Sequence, residues 1–233
     1  MNKHNFQRML GLFCFALGLL LSLLLMGVAV WADLEASYYG FERMYADNLT
    51  GLTCPVLMER SETGSMSVRV ENPSDREVVQ IVVVRLSSPL SILQARRTFH
   101  LAPGEAQRGI WDITADHVDL KRFVFAHVIA FPIATVPMRE AMCGVFVVDL
   151  PGLTGEQIYF GLLGLALLTL ILGLVLWDTS RIPAISRLPQ VRAGMRFLVL
   201  VVLVGLAASA LGWWMVGVVT LVVLLLTMVT ILY

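Results

Sequence analysis

Residues 197–233 read FLVLVVLVGLAASALGWWMVGVVTLVVLLLTMVTILY, 37 residues without one charged side chain. As a single straight helix this stretch would be ~55 Å long at about 1.5 Å per residue, nearly twice the ~30 Å hydrocarbon thickness of a bilayer. Two shorter helices joined by a tight turn fit better. Gly212-Trp213-Trp214 is the turn candidate, because glycine bends the chain and paired tryptophans favour the membrane–water interface. The segment therefore predicts helices over 194–212 and 215–232, with a re-entrant hairpin as the alternative.

Two more apolar runs lie upstream. Ile158–Trp177 is uncharged and carries Tyr159 and Trp177 at its ends, which predicts a transmembrane helix over 157–177. Met9–Trp31 is also uncharged, holds a single hydroxyl (Ser22), and follows Lys3 and Arg8. It predicts a first transmembrane helix over 9–31. A cleaved secretory signal is the alternative, with Val30 and Ala32 suitably small before Asp33. The run is longer than the ~7–15 residues of a usual signal core, which favours an uncleaved anchor. The fold class expected is thus an α-helical membrane protein with four transmembrane helices and an extracytoplasmic all-β domain inserted between the first two.

Composition agrees. Apolar residues make up 58% of the chain and charged residues 15%, against about 45–50% and about 25% in an average globular protein. A cytosolic enzyme, a nucleic-acid binder and a disordered chain are all poor fits. The 17 basic and 17 acidic residues cancel to zero, but unevenly along the sequence. The tail 1–8 has Lys3 and Arg8. The loop 178–193 and its border have Arg181, Arg187, Arg192 and Arg196 against Asp178. Residues 32–156 hold 11 basic and 16 acidic side chains. By the positive-inside rule, tail, loop and both termini belong in the cytoplasm, and 32–156 lies outside. A bacterial cytoplasmic (inner) membrane is the expected location.

Within that outer segment, 32–51 reads as an amphipathic helix. Leu34, Tyr38, Phe41, Tyr45 and Leu49 recur at helical spacing, and Gly51 suits its end. Tyr38, Phe41 and Tyr45 are candidate partner-facing residues; packing of the helix on the adjacent β domain is the alternative. From residue 52 to 156 the pattern becomes strands broken by turns. Met66, Val68 and Val70 alternate with polar neighbours; Glu71-Asn72-Pro73-Ser74-Asp75 and Ala102-Pro103-Gly104-Glu105 are turns. The order of an Asn-Pro turn, a Val-rich strand over 78–86 and a Leu-Ala-Pro-Gly-Glu turn resembles bacterial immunoglobulin-like domains over about residues 52–150. That resemblance implies a β-sandwich and no particular chemistry. The strands at 78–86 and 123–131 are apolar on both faces, so each needs a cover on either side, from this chain or from a partner.

Cys14 sits in the first span. Cys54 and Cys143 fall in the outer domain, where disulfides form, and predict a bridge closing about 90 residues, worth ~4 kcal/mol in the chain-entropy account. The histidines, His4, His100, His117 and His127, all lie outside the spans, which leaves no paired ligands for a haem between helices. Asp116, His117 and His100, or His127 with Met138 and Met142, would be the residues of a copper site if one existed. A solvated turn capped by Thr114 is the plainer reading of 114–119. No catalytic, cofactor or metal-binding residue is assigned. The spans carry no ionisable interior residue, so neither proton relay nor ion path is expected. They do carry small residues, Gly161, Gly164, Gly205, Ser209 and Gly212, which permit close helix packing, within this chain or onto another subunit. Asn48-Leu49-Thr50 is a formal glycosylation triplet.

The expected function is that of a non-catalytic accessory or scaffolding subunit of a larger membrane complex. Its partners would be other integral membrane subunits and membrane lipid, not nucleic acid. A ligand-binding or cell-wall-binding receptor and copper handling by the outer domain are the alternatives.

Overall fold

The computed structural model of the chain describes residues 3–42, 47–131, 137–180 and 188–232. Continuous apolar helices and alternating strands cannot share one core, and the chain separates accordingly into two compact units: residues 1–30 with 158–233, and residues 31–157.

Four helices supply the first unit: α1 (Lys3–Tyr38), which belongs to it up to Val30, α2 (Gly155–Thr179), α3 (Leu188–Ala210) and α4 (Trp214–Leu232). Three of these, α1, α2 and α3, are long and apolar enough to cross a membrane, whereas the apolar part of α4 is shorter. Small residues set the packing. An added Cβ at Gly18 would meet Leu170 and Thr169 below 3 Å, and one at Gly173 would meet the Phe15 backbone, so α1 and α2 touch almost backbone to backbone. The hydroxyls of Ser22, Thr169 and Thr220 each donate to the carbonyl four residues earlier, which removes unsatisfied donors from an apolar interior. α3 begins at Leu188, inside the segment expected as loop, and ends at Ala210, just before the expected turn. Gly212 takes φ +70°, Trp213 N–H donates to Ala208 at 2.9 Å and Gly212 N–H to Ser209 at 3.2 Å, a Schellman cap that turns the chain into α4.

The second unit is a β-sandwich. Its larger sheet runs β1 (Asp47–Asn48), β9 (Arg139–Val148), β8 (Phe123–Phe131), β5 (Val78–Leu86), β6 (Leu93–Leu101), with β3 (Leu57–Glu59) also paired to β9. The smaller runs β2 (Leu52–Thr53), β4 (Gly64–Glu71), β7 (Ala106–Ile113). Inward residues of both sheets, among them Met66, Val68, Val82, Val84, Leu101, Val128 and Val145, form one buried cluster. Of the two strands apolar on both faces, 123–131 finds its second cover within the chain. Ala32 and Ala36 of α1, with Tyr39 and Phe41 beyond it, pack on Phe123, Phe125, Met142 and Phe146 on the outer face of β8 and β9.

This changes the reading of 32–51, which is not a separate amphipathic helix. α1 runs unbroken through the expected 9–31 boundary to Tyr38, and Asp47–Asn48 is a strand parallel to β9. The face that packs is Ala32/Ala36, not Leu34/Tyr38: Tyr38 is 80% exposed, and Leu49 is buried in the sandwich core. The reason is steric. A Cβ at Gly144 of β9 would overlap the Ala32 carbonyl, so helix and sheet approach closely only through their smallest residues. Large apolar spacing was the wrong signal there, and Gly40 then ends helical continuation.

Candidate functional site

Cys54, just after β2, and Cys143, in β9, form a disulfide with Cα atoms 6.5 Å apart. It ties the start of the sandwich to its last strand. Phe41 is buried against the His127 ring at 5.4 Å and against Tyr39 at 4.8 Å, so it serves the fold; Tyr38 is exposed, and Tyr45 lies outside the described residues.

The ligand-type side chains are spread out. His100 sits on the exposed edge strand β6 opposite Val79. His127 is fully buried in β8 and its Nε2 lies 3.1 Å from Glu140 Oε2, with Met142 as its cross-strand neighbour. His117 closes the 3₁₀ turn Ala115–His117: its Nδ1 accepts the Thr114 N–H at 2.9 Å. Burial holds its pKa below the ordinary imidazole value, with the Asp116 charge pulling the other way. Among the described residues, no group of three His, Cys, Asp or Glu side chains is placed to hold a metal ion.

Polar contacts that spacing did not reveal lie where α1 meets the sheet. Gly144 N–H donates to Asp33 Oδ1 at 3.0 Å. Tyr39 O–H donates to Asp119 Oδ2 at 2.5 Å, and burial, with that bond and that charge, pushes the phenol up to about 12. The only sequence signal was the Asp33 carboxylate directly after an apolar run.

The small helix residues divide by role. Gly205 is packed: an added Cβ would run into Met26 and Thr220. Ser209 is buried beside Gly217. Gly212 makes the turn and has open space around it. Gly161 and Gly164 of α2 have nothing within 4 Å of an added Cβ. They begin a face that continues through Leu168, Ile171 and Val175, spaced 3, 4, 3, 4 and exposed throughout. At one end of this helical unit the charges gather. Asp178 pairs with Arg192 at 3.3 Å and Arg196 at 3.1 Å, and the Arg8 guanidinium stands 4.8 Å over the Trp177 ring.

No protein-family model matches the chain, and no curated protein matches it. Solved structures match the sandwich region. A CARDB domain from Pyrococcus furiosus is 15% identical with a TM-score of 0.35, covering 47% of this chain and 100% of that domain. A Bacteroides uniformis β-glucuronidase is 14% identical with a TM-score of 0.33, covering 41% of this chain and 13% of that enzyme. A Paenibacillus cycloisomaltooligosaccharide glucanotransferase is 13% identical with a TM-score of 0.37, covering 45% and 15%. The chain thus spans only a small fraction of these enzymes. Ig-like and other sandwich domains are among its neighbours, and likeness at this level assigns no activity.

Proposed function

We propose that the chain is a multi-pass protein of the cytoplasmic membrane that acts as a non-catalytic accessory subunit of a larger membrane complex, with its sandwich on the extracytoplasmic side. The observation that carries this reading is the exposed Gly161/Gly164–Leu168–Ile171–Val175 face of α2. Elsewhere in the unit, glycines at Gly18, Gly173 and Gly205 are used for close helix contact. Gly161 and Gly164 offer the same notch, at the 3.5-residue period of a helix–helix seam, with none of the described residues within 4 Å of an added Cβ. Two further features support the orientation. Arg8, Arg192 and Arg196 lie near α-helix ends that the positive-inside rule assigns to the cytoplasm, and a disulfide forms readily only outside it.

The test is a photo-crosslinking residue at Leu168 in native membranes. A discrete protein adduct that vanishes when Gly164→Leu fills the notch is the expected result. Adducts with lipid alone, together with a monodisperse monomer on mild extraction, would sink the proposal.

A further inference from the structure

Among the described residues, the two ends of the sandwich differ in what they expose. The strand registers place loops 60–63, 87–92, 114–122 and 149–154 at one end: Phe123 pairs with Phe146, Leu86 with Ala126 and Leu93, and Gly64 with Ile113. Among the described residues this end carries most of the exposed large apolar side chains of the unit. Leu90 and Ile92 stand on one loop with Leu93 at the strand start beside them, Leu120 on a second, Leu150 and Leu153 on a third. Leu90 is 97% exposed, and its loop, Ser87-Ser88-Pro89-Leu90-Ser91-Ile92, has no charge. Among the described residues, the opposite end carries the polar turns Asn72–Glu77 and Ala102–Glu105 and exposes no large apolar residue, while 132–136 of the β8–β9 connection at that end lie outside the described residues.

These loops are held, not frayed. Ser87 is fully buried; its hydroxyl donates to the His117 carbonyl at 2.7 Å and accepts the Phe125 N–H at 2.9 Å, which braces two of the loops on β8. Leu120 and Lys121 both take positive φ, 46° and 70°, a conformation that bulky residues rarely adopt unless the surroundings impose it. That strained turn leaves Leu120 outward.

The same end is where the chain enters and leaves the sandwich. The Trp31 ring lies 5.7 Å from the Phe123 ring and is itself half exposed, and Gly155 N–H donates to Glu62 Oε2 at 2.6 Å. Beyond both points the sequence continues as the apolar helices α1 and α2. We infer that the 87–92, 114–122 and 149–154 loops form a lipid-facing surface, seating the sandwich in the headgroup region of the bilayer, with Leu90, Ile92 and Leu120 as the inserted side chains. This rests on the membrane reading above. Tryptophan and isolated leucines flanked by serine and proline suit that interface, where apolar contact and wet polar groups coexist. The charges on these loops are mixed, Arg60, Lys121 and Arg122 against Glu62, Asp116, Asp119 and Asp149, so insertion does not need anionic lipid.

The experiment uses the full chain carrying Cys14→Ser, reconstituted in phosphatidylcholine vesicles, with an environment-sensitive fluorophore on single cysteines. Leu90→Cys and Leu120→Cys probe the surface, Asp75→Cys the opposite end, and Ile171→Cys the helix α2. Shallow spin-labelled phosphatidylcholine should cost the Leu90 and Leu120 probes much of their intensity and leave the Asp75 probe unchanged. If both behave like Asp75 while Ile171 is quenched, the surface is wrong and the membrane reading survives. A blue shift at Leu90 without quenching assigns the loops to a protein contact and also overturns the inference. If Ile171 is not quenched, the membrane reading itself fails.

Discussion

Asn72 shows how one side chain can hold an end of the sandwich. It is 1% exposed, and its carboxamide nitrogen donates to the carbonyls of Arg76, Leu101 and Ala102 while its oxygen accepts both the Ser74 N–H and hydroxyl. Asn72→Ala would strand the buried Leu101 carbonyl and should lower stability by about 1–3 kcal/mol, read as a lower melting temperature of the full chain in mild detergent. His117 gives a second prediction at this scale. Its folded pKa lies below the ordinary value, chiefly through burial, so folding favours the neutral ring. The contribution is present above the unfolded value of ~6.5 and is lost as pH falls through the lowered folded value. The chain should therefore weaken on acidification through that window, and His117→Gln should flatten the slope there. An unchanged slope would mean that His117 does not couple to folding.

At the scale of elements, the contact between α1 and β9 decides most. Ala32 can lie on the sheet only because Gly144 has no Cβ, and the Gly144 N–H also bonds Asp33. Gly144→Ala should push the helix off the sheet and cost at least the ~1–3 kcal/mol of an overpacked core. Hydrogen exchange would report it as faster exchange in α1 residues 32–38, with β4 and β7 spared. This contact also marks where the sequence stopped being legible. The long apolar helices, the Gly212 turn, the Asn-Pro turn and the two-faced strands all follow from hydrophobic period and turn chemistry, which are local. The course of residues 32–49 does not. Its large residues repeat at helical spacing, but the packing is set by Ala32, Ala36 and a glycine more than a hundred residues away, and small size in two distant elements leaves no periodic trace. The same limit applied to the candidate interaction residues. Gly161 and Gly164 were visible as small residues, whereas the open space beside them among the described residues is a three-dimensional fact.

For the whole molecule the open quantity is the number of crossings. Charge alone separates 32–156, with its 16 acidic and 11 basic residues, from the arginine-bearing pieces, which predicts opposite sides of a membrane. In spheroplasts, with Cys14→Ser as background, Asp75→Cys should react with an impermeant maleimide from outside, and Gln7→Cys only after permeabilisation. The reverse pattern would overturn the orientation and would put the Cys54–Cys143 bridge in a reducing compartment. α4 decides between three crossings and four. Its 19 residues span ~28 Å at about 1.5 Å each, close to the ~30 Å hydrocarbon layer, and they carry no charge. The Schellman cap at Gly212 turns the chain back after α3. If α3 ends at the outer surface, that turn sends α4 inward, and a reporter fused after Tyr233 should be cytoplasmic. A reporter exposed outside would leave three crossings, with α4 lying along the surface. Its apolar residues Met215, Val219, Leu226 and Val229 share one helical face, which a helix along the surface would turn into the lipid. A cytoplasmic reporter is the expected outcome, since α4 carries no charge on any face.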